Sequence, residues 1–169
     1  MLVKERTIGV LEAVNKRQGL FGEQDEAILY VTASHAAIAI NKAQLFRDVE
    51  RSRAELCIAY DATIAGWSRA LDLRDHDSEG HSERVAELTV YLARAYGLNE
   101  EQVVHIRRGA LLHDMGKLGV PDAILLKPGR LTDSERQLMN NHPQYAHQML
   151  SPIDYLQPAL DIPVYHHEK

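Results

Sequence analysis

The sequence predicts a mainly α-helical protein with one short strand near its N-terminus. Apolar residues recur at helical spacing from residue 24 to residue 71, and no proline interrupts the chain before Pro121. After residue 80 the chain breaks into shorter amphipathic segments separated by glycine, proline and polar residues. With 169 residues, 45% of them hydrophobic, the chain is long enough to bury a core of its own.

The composition excludes several classes of protein. The 19 basic and 24 acidic side chains give a formal net charge of −5, so we expect no surface for long nucleic acids. A small anionic ligand could still bind at a locally positive site. Cys57 is a single cysteine, which excludes an internal disulfide framework and a cysteine-rich zinc site. No run of apolar residues is as long as a membrane span, and the N-terminal MLVKERTIG lacks a secretory pattern. Together these observations predict a cytoplasmic location.

The first predicted elements are a strand and a long helix. Thr7–Lys16 alternates apolar and polar residues and ends at a Gln-Gly turn, as a strand does. Helical spacing begins at Gln24 and continues as a stripe that a single chain cannot easily bury. Two arrangements stay open: pairing with a second copy as a helical dimer, or folding back on the C-terminal half. The stripe consists of Ile28, Val31, Ala36, Ile38, Ile40, Leu45, Val49, Leu56, Tyr60, Ile64, Trp67 and Leu71.

The sequence of the second half of the chain predicts a series of shorter helices. The first ends at Gly97, a residue typical of the position just past a helix. Asn99 and Gln102 form a capping box that begins the second helix, which we expect to end near Gly116. A proline-bounded loop follows over residues 120–130. Further helices are expected around Ser134–Asn141, Pro143–Leu150 and Tyr155–His167.

Histidine and aspartate residues in this half have the pattern of a metal centre. Nine histidines are present, and most of them follow residue 80. His113 and Asp114 are adjacent at a predicted helix end, where they could supply one nitrogen and one oxygen ligand, and His81 offers a third donor. Lys117 would place a positive charge where phosphate or developing negative charge could be stabilised. Three more imidazoles, enough for a second metal, are His142, His166 and His167.

Four segments resemble the HD-GYP branch of the HD superfamily of metal-dependent phosphohydrolases. The similarity covers about residues 70–169, and its motifs occur in the family's order. It implies an all-helical bundle that hydrolyses the phosphodiester bonds of cyclic di-GMP with two or three divalent transition metals, Fe or Mn, with Ni or Zn as alternatives. The segments are HSERV (81–85), LLHDMGKLGVPDAILLKPGRLT (111–132), NNHP (140–143) and HHEK (166–169).

The resemblance also implies roles for individual residues. Lys117 matches the lysine that contacts phosphate, and Asp114 is both a metal ligand and part of the catalytic group. Asp77 stands where some members of the family carry a glutamate that holds a third metal. The implied metal ligands are His81, His113, Asp114, His142, His166, His167 and Asp77.

The rest of the chain has a resemblance of its own. Residues 8–46, IGVLEAVNKRQGLFGEQDEAILYVTASHAAIAINKAQLF, look like the last strand and helix of a GAF sensory domain. The predicted division is therefore 1–46 as a GAF remnant, 47–73 as a connector helix and 74–169 as an incomplete HD domain. The chain ends at HHEK, where the family continues into its Asp-Gly-x-Gly-Tyr-Pro loop and a last aspartate ligand, so we expect a slice of a longer signalling protein.

Two functions from different classes stay open. One is a phosphodiesterase module acting on a cyclic dinucleotide; the other is a catalytically silent regulatory module that dimerises through the connector helix. A nucleotidase acting on another nucleotide is a third possibility. We expect ordinary surface or structural roles for several side chains that could otherwise bind a nucleotide or metal: His35, His76, His105, His147, Lys127, Arg130, Tyr145, Tyr155 and Tyr165.

Overall fold

The computed structural model describes residues 1–3, 6–75 and 80–168. Within these ranges the chain is mainly α-helical, which confirms the predicted fold class. It divides into two compact units, Met1–Cys57 and Ile58–Lys169. None of the helices in these ranges combines the length and apolarity needed to cross a bilayer. The helices are α1 (Glu23–Asp75), α2 (His81–Ala95), α3 (Glu100–Leu111), α4 (Asp122–Leu125), α5 (Asp133–Met139), α6 (His142–Leu150) and α7 (Asp161–Tyr165), with 3₁₀ helices at Met115–Gly119 and Asp154–Ala159.

The first unit contains two very short strands before α1. Strands β1 (Leu2–Val3) and β2 (Arg6–Thr7) pair antiparallel, with Leu2 opposite Thr7. The predicted strand Thr7–Lys16 is wrong beyond Thr7. Asn15 has a left-handed backbone with φ of 59°, which interrupts an extended conformation, and the described residues offer residues 8–16 no strand to pair with.

Helix α1 is one uninterrupted helix of 53 residues, as the stripe of apolar residues predicts. Acidic residues occupy its first turn and Arg74 its last, which suits the helix dipole at both ends. In the second unit its side chains Ile64 and Leu71 are buried, each 3% exposed. The apolar residues of the stripe before Cys57 contribute much less to a core, because most of them are exposed.

The ends of α2 and α3 follow the predicted capping signals. Gly97, at φ 84°, allows the Leu98 N–H to donate to the Ala93 carbonyl, which closes α2 as the sequence predicts. The capping box of Asn99 and Gln102 is confirmed. The buried side of α2 is made of small residues, whereas Leu88 and Leu92 are exposed. Small side chains suit this side because α2 packs closely along α3.

Two predicted helices have different ends in the structure. The second, expected to run to Gly116, ends at Leu111, so that His113 and Asp114 lie in a turn before the 3₁₀ helix Met115–Gly119. The predicted helix Tyr155–His167 is two short helices, Asp154–Ala159 and α7. Pro158 and Pro163 lie within this stretch, and a proline lacks the N–H that continues helical hydrogen bonding.

Close backbone contacts hold the second unit around its core. At Gly116 an added Cβ would lie 1.7 Å from the carbonyl oxygen of His142, and at Gly109 it would lie 2.6 Å from that of Ala159. Only glycine therefore permits the approach of the Met115–Gly119 helix to the start of α6. The core residues are Ile64, Ala86, Ala110, Leu111, Leu112, Ala146, Leu150, Leu156 and Leu160.

Candidate metal centre

Two groups of imidazole and carboxylate side chains come together in the second unit. His81, His113 and Asp114 form the first triad, and His142, His166 and His167 form the second triad. Within each triad the potential ligand atoms all lie within 4.8 Å of one another. The six residues come from four places in the sequence, at residues 81, 113–114, 142 and 166–167, which the fold brings together.

Each triad is assembled from the ends of helices. His81 is the first residue of α2, and His142 is the first residue of α6. His166 follows α7, while His113 lies in the turn after α3. Side chains at helix ends are free to converge because the neighbouring backbone is not constrained to one helical direction.

A buried hydrogen bond fixes the start of α2. The Ser82 hydroxyl donates to Asp72 Oδ1 at 2.5 Å, and the Ser82 side chain and Asp72 are both buried. The Ser82 N–H also donates to Asp72 Oδ2 at 3.4 Å. Because His81 immediately precedes Ser82, this pair holds the backbone from which the His81 ring projects.

Three of the histidine rings are oriented by the same local contact. In His113, His142 and His166, Nδ1 lies 2.8, 2.9 and 3.1 Å from the carbonyl oxygen of the residue three positions earlier. A carbonyl oxygen can only accept, so each Nδ1 carries the proton and donates. The other nitrogen, Nε2, is then left with a lone pair, which is the form that ligates metals.

The Nε2 atoms of the second triad face one another. His142 Nε2 lies 3.1 Å from His166 Nε2 and 3.2 Å from His167 Nε2. Lone pairs of neutral rings repel one another at this distance unless a proton or a cation lies between them. Imidazole and carboxylate donors are the set that Fe, Mn, Ni and Zn accept, so the residues present fit a divalent transition metal.

Asp114 connects the two triads through its two oxygens. Oδ2 lies 3.0 Å from His113 Nε2 and 3.0 Å from Lys117 Nζ. Oδ1 lies 3.5 Å from His142 Nε2 and 3.7 Å from His166 Nε2. Burial opposes ionisation of Asp114, but the contacts with His113 and Lys117 outweigh it and lower its pKa. The carboxylate is therefore charged and positioned to serve both triads.

The pKa values of His142 and His166, in the second triad, are shifted in the opposite direction from that of His113, in the first triad. Burial, together with the nearby positive charges of His167 and His113, lowers the pKa of His166 to about 4. Burial also lowers the pKa of His142. Burial acts in the same direction on His113, but the hydrogen bond and charge of Asp114 raise its pKa overall. The lowered pKa values of His142 and His166 favour their neutral form, the state that a metal requires.

Lys117 is held between two carboxylates, one of which the sequence did not predict. Its Nζ donates to Asp75 Oδ2 at 2.5 Å and lies 3.0 Å from Asp114 Oδ2. Burial disfavours the charged amine, but these contacts raise the pKa of Lys117 overall. Asp75 is the last residue of α1, in a polar stretch of the sequence where no motif distinguishes one acidic residue from its neighbours.

The residue before Asp75 holds the backbone around Lys117. Arg74 donates to the carbonyl oxygens of Lys117 and Val120, each at 3.0 Å, and forms an ion pair with Asp122 at 2.7 Å. The last turn of α1 therefore fixes both the main chain and the side chain of the lysine. This role of Arg74 is not visible in the sequence, because it depends on contacts between residues more than forty positions apart.

The remaining predicted residues lie elsewhere. Asp77 and His76 fall outside the described residues. Lys127 forms an ion pair with Glu135 at 2.5 Å, which ties the proline-bounded loop to α5. Tyr155 packs against Tyr60, with ring centres 4.6 Å apart, in keeping with the expected structural role. The exposed ones among these residues are His35, His147, Arg130 and Tyr165.

The sequence of the chain matches a known family and several curated proteins. The family described as HD domain matches residues 66–169. A cyclic di-GMP phosphodiesterase response regulator of Xanthomonas campestris pv. campestris is 38% identical over 109 residues, which are 63% of this chain and 29% of that protein. A cyclic di-GMP phosphodiesterase of Thermotoga maritima is 41% identical over 102 residues, 58% of this chain and 27% of that protein.

A third relative acts on a related substrate. The 3'3'-cGAMP-specific phosphodiesterase 3 of Vibrio cholerae is 36% identical over 109 residues, 64% of this chain and 24% of that protein. The chain therefore spans less than a third of the length of these three relatives.

Proposed function

The chain belongs to the HD domain family, and from this premise we propose that it carries a metal-dependent phosphodiesterase module of the HD-GYP type that acts on cyclic dinucleotides. The observation that carries the proposal is the position of Asp114, a member of the first triad that also faces the second triad and has Lys117 beside it. The substrate class is taken from the relatives, whose names describe hydrolysis of cyclic di-GMP and 3'3'-cGAMP.

Each triad would hold one divalent metal ion. We propose that His81, His113 and Asp114 bind the first, and that His142, His166 and His167 bind the second, with the other Asp114 oxygen facing it. Asp77 stays the proposed ligand of a third ion. Fe or Mn is the proposed metal, with Ni or Zn as alternatives. When bound, such ions lower the pKa of water and polarise phosphoryl oxygens.

The side chains of the protein have separate tasks in this proposal. The Lys117 ammonium, fixed by Asp75 and Asp114, donates to a phosphate oxygen and stabilises the negative charge that develops during hydrolysis. Asp114 remains ionised because its pKa is lowered, and so it does not compete for a proton with the leaving group. The backbone contacts of the three Nδ1 atoms keep the rings in place throughout the reaction.

Metal analysis followed by a hydrolysis assay tests this function. The purified chain supplied with Mn or Fe should bind metal and convert cyclic di-GMP or 3'3'-cGAMP to linear products. Asp114→Ala should lose both properties, whereas His147→Ala, which removes an exposed histidine of α6 outside both triads, should keep them. Failure of the unaltered chain to bind any transition metal, or turnover that survives Asp114→Ala, would contradict the proposal.

The same assay separates the alternatives. Metal binding without turnover would favour the silent regulatory module, and turnover of a mononucleotide alone would favour a nucleotidase.

For the rest of the chain we propose the division predicted from the sequence: a GAF-like segment over 1–46, a connector helix over 47–73 and the HD domain over 74–169. A homodimer formed through the connector helix and a cytoplasmic location stay predictions.

A further inference from the structure

Helix α1 carries a repeat that the function of the second unit does not use. From Ile28 to Leu56, residues recur along one side of the helix at alternating steps of three and four, which is the 3.5-residue period of a coiled-coil seam. Four heptads of this length meet the minimum that coiled coils require. We name this set the heptad stripe; its members are Ile28, Val31, His35, Ile38, Lys42, Leu45, Val49, Ser52 and Leu56.

The heptad stripe is exposed in the single chain. Its six apolar members are each more than half exposed, from 52% at Val31 to 67% at Ile28. The covered residues of the same part of α1 lie on the other side of the helix, where Ala37 is 0% exposed and Leu29 and Ala33 are half-buried. The first unit therefore covers one side of α1 and leaves the seam without cover.

The composition of the stripe favours a second copy of this chain as its partner. In a parallel, in-register pair each core layer joins identical residues, so that Leu45 packs on Leu45 and Val49 on Val49. The β-branched Val49 at heptad position a adjoins Leu45 at position d, the combination that favours two strands, whereas the β-branched Val31 and Ile38 at position d do not share this preference. Lys42 at position a also favours a two-stranded coiled coil, in which its ammonium can reach water.

Charges beside the stripe favour the same direction of pairing. Asp48 lies at position g, and Arg53, five residues later, lies at position e of the next heptad. In a parallel, in-register pair these two positions face each other across the interface, so Asp48 of each copy meets Arg53 of the other. An antiparallel pair would instead bring like positions together, Asp48 facing an equivalent g residue.

We propose that two copies of this chain pair through the heptad stripe as a parallel, in-register, two-stranded coiled coil. The inference goes beyond the dimer predicted through the connector helix, because it places most of the interface before residue 47 and assigns its direction and register. It concerns the first unit and needs no bound metal, so the outcome of the hydrolysis assay does not decide it.

Disulfide trapping tests the direction and register. In a Cys57→Ser background, Ser52→Cys introduces the only cysteine at position d of the stripe, and Arg51→Cys introduces it at the neighbouring position c as a matched control. Under mild oxidation of the metal-free chain, Ser52→Cys should form a covalent dimer and Arg51→Cys should form little. Equal trapping at both positions, or none at Ser52, would overturn the proposal.

Charge reversal gives a second test that does not rely on cysteine. Asp48→Arg and Arg53→Asp should each weaken the dimer about fivefold in sedimentation equilibrium, because each brings like charges together at two symmetric places. The double variant should restore the affinity, since it reverses both charges of the pair. A monomeric unaltered chain, or a double variant that dimerises no better than either single one, would also overturn the proposal. Circular dichroism confirms that each variant keeps its helix.

Discussion

The two triads use different chemistry to reach the same place. The first combines two imidazoles with the Asp114 carboxylate and lies beside the Lys117 ammonium, whereas the second consists of three imidazoles. Asp114 Oδ1, 3.5 Å from His142 Nε2, brings negative charge to the second triad. Because the Asp114 carboxylate faces histidines of both triads, the two triads depend on each other.

The triads also depend on one close contact of the backbone. The first triad lies at the turn before the Met115–Gly119 helix and the second begins at His142, and these segments touch at Gly116. We expect the largest effect on both triads from a change at this contact, and smaller effects from changes that touch one of them.

Gly116→Ala should separate the triads. Its Cβ would lie 1.7 Å from the His142 carbonyl oxygen and 2.7 Å from the Ala146 nitrogen, and both atoms belong to the backbone of α6. We expect a loss of about 3 kcal/mol in the free energy of unfolding, together with loss of metal from both triads. Thermal unfolding and metal analysis measure the two effects.

Gly119→Ala provides the matched control. Its Cβ would meet the Tyr145 ring at 2.8 Å, and a side chain can move aside more easily than a backbone. If both variants bound metal like the unaltered protein, the close contact at Gly116 would not be what holds the triads together.

Asp75→Asn should affect the position of Lys117, beside the first triad, and leave the metal ligands in place. Without the Asp75 charge, Lys117 keeps only Asp114 as a partner and is less well positioned for phosphate. If the proposed activity holds, we expect kcat to fall about tenfold, less than the roughly hundredfold effect of a misplaced reacting group, with metal content unchanged. Asp133→Asn removes an exposed carboxylate in the first turn of α5 and should leave kcat unaltered. Equal effects of the two variants would argue against a positioning role for Asp75.

In the metal-free chain, the contributions of His166 and His113 to stability should respond to pH in opposite directions. The pKa of His166 is about 4 against an ordinary value of 6.5, so the unfolded chain binds a proton before the native chain does, and stability falls as the pH falls through this window. The raised pKa of His113 has the opposite sign: its stabilisation is complete below 6.5 and is lost as the pH rises through the raised pKa.

Thermal unfolding in the presence of a chelator measures the acid-sensitive part. His166→Asn should weaken the decline of the melting temperature between pH 6.5 and 4, while His147→Asn should not. A decline that is identical in the two variants would show that His166 does not cause it.

Features that depend on neighbouring residues were predicted from the sequence, whereas features that depend on contacts between distant segments were not. The capping box at Asn99 and the helix end at Gly97 depend on neighbouring residues, and both were predicted. The C-terminal end of α3 and the role of Asp75 depend on contacts between distant segments, and both were missed. The alternation in residues 8–16 predicted a strand because periodicity reports a pattern of side chains and says nothing of a pairing partner.

The candidate ligands were found by a different route. His81 and His142 are ordinary residues when taken alone; donor chemistry suggested grouping them with His113 and Asp114, and the resemblance to the HD-GYP branch assigned each of them a role. Their roles as ligands stay a proposal that the metal analysis above tests.

The carbonyl contacts of His113, His142 and His166 have a thermodynamic consequence. Each ring is aimed by a peptide group of its own turn, so its rotational freedom is given up when that turn folds. An incoming ion then meets preorganised donors and bears little of the entropic penalty of ligation. Folding therefore carries most of that penalty, and affinity for the ion rises without any additional ligand.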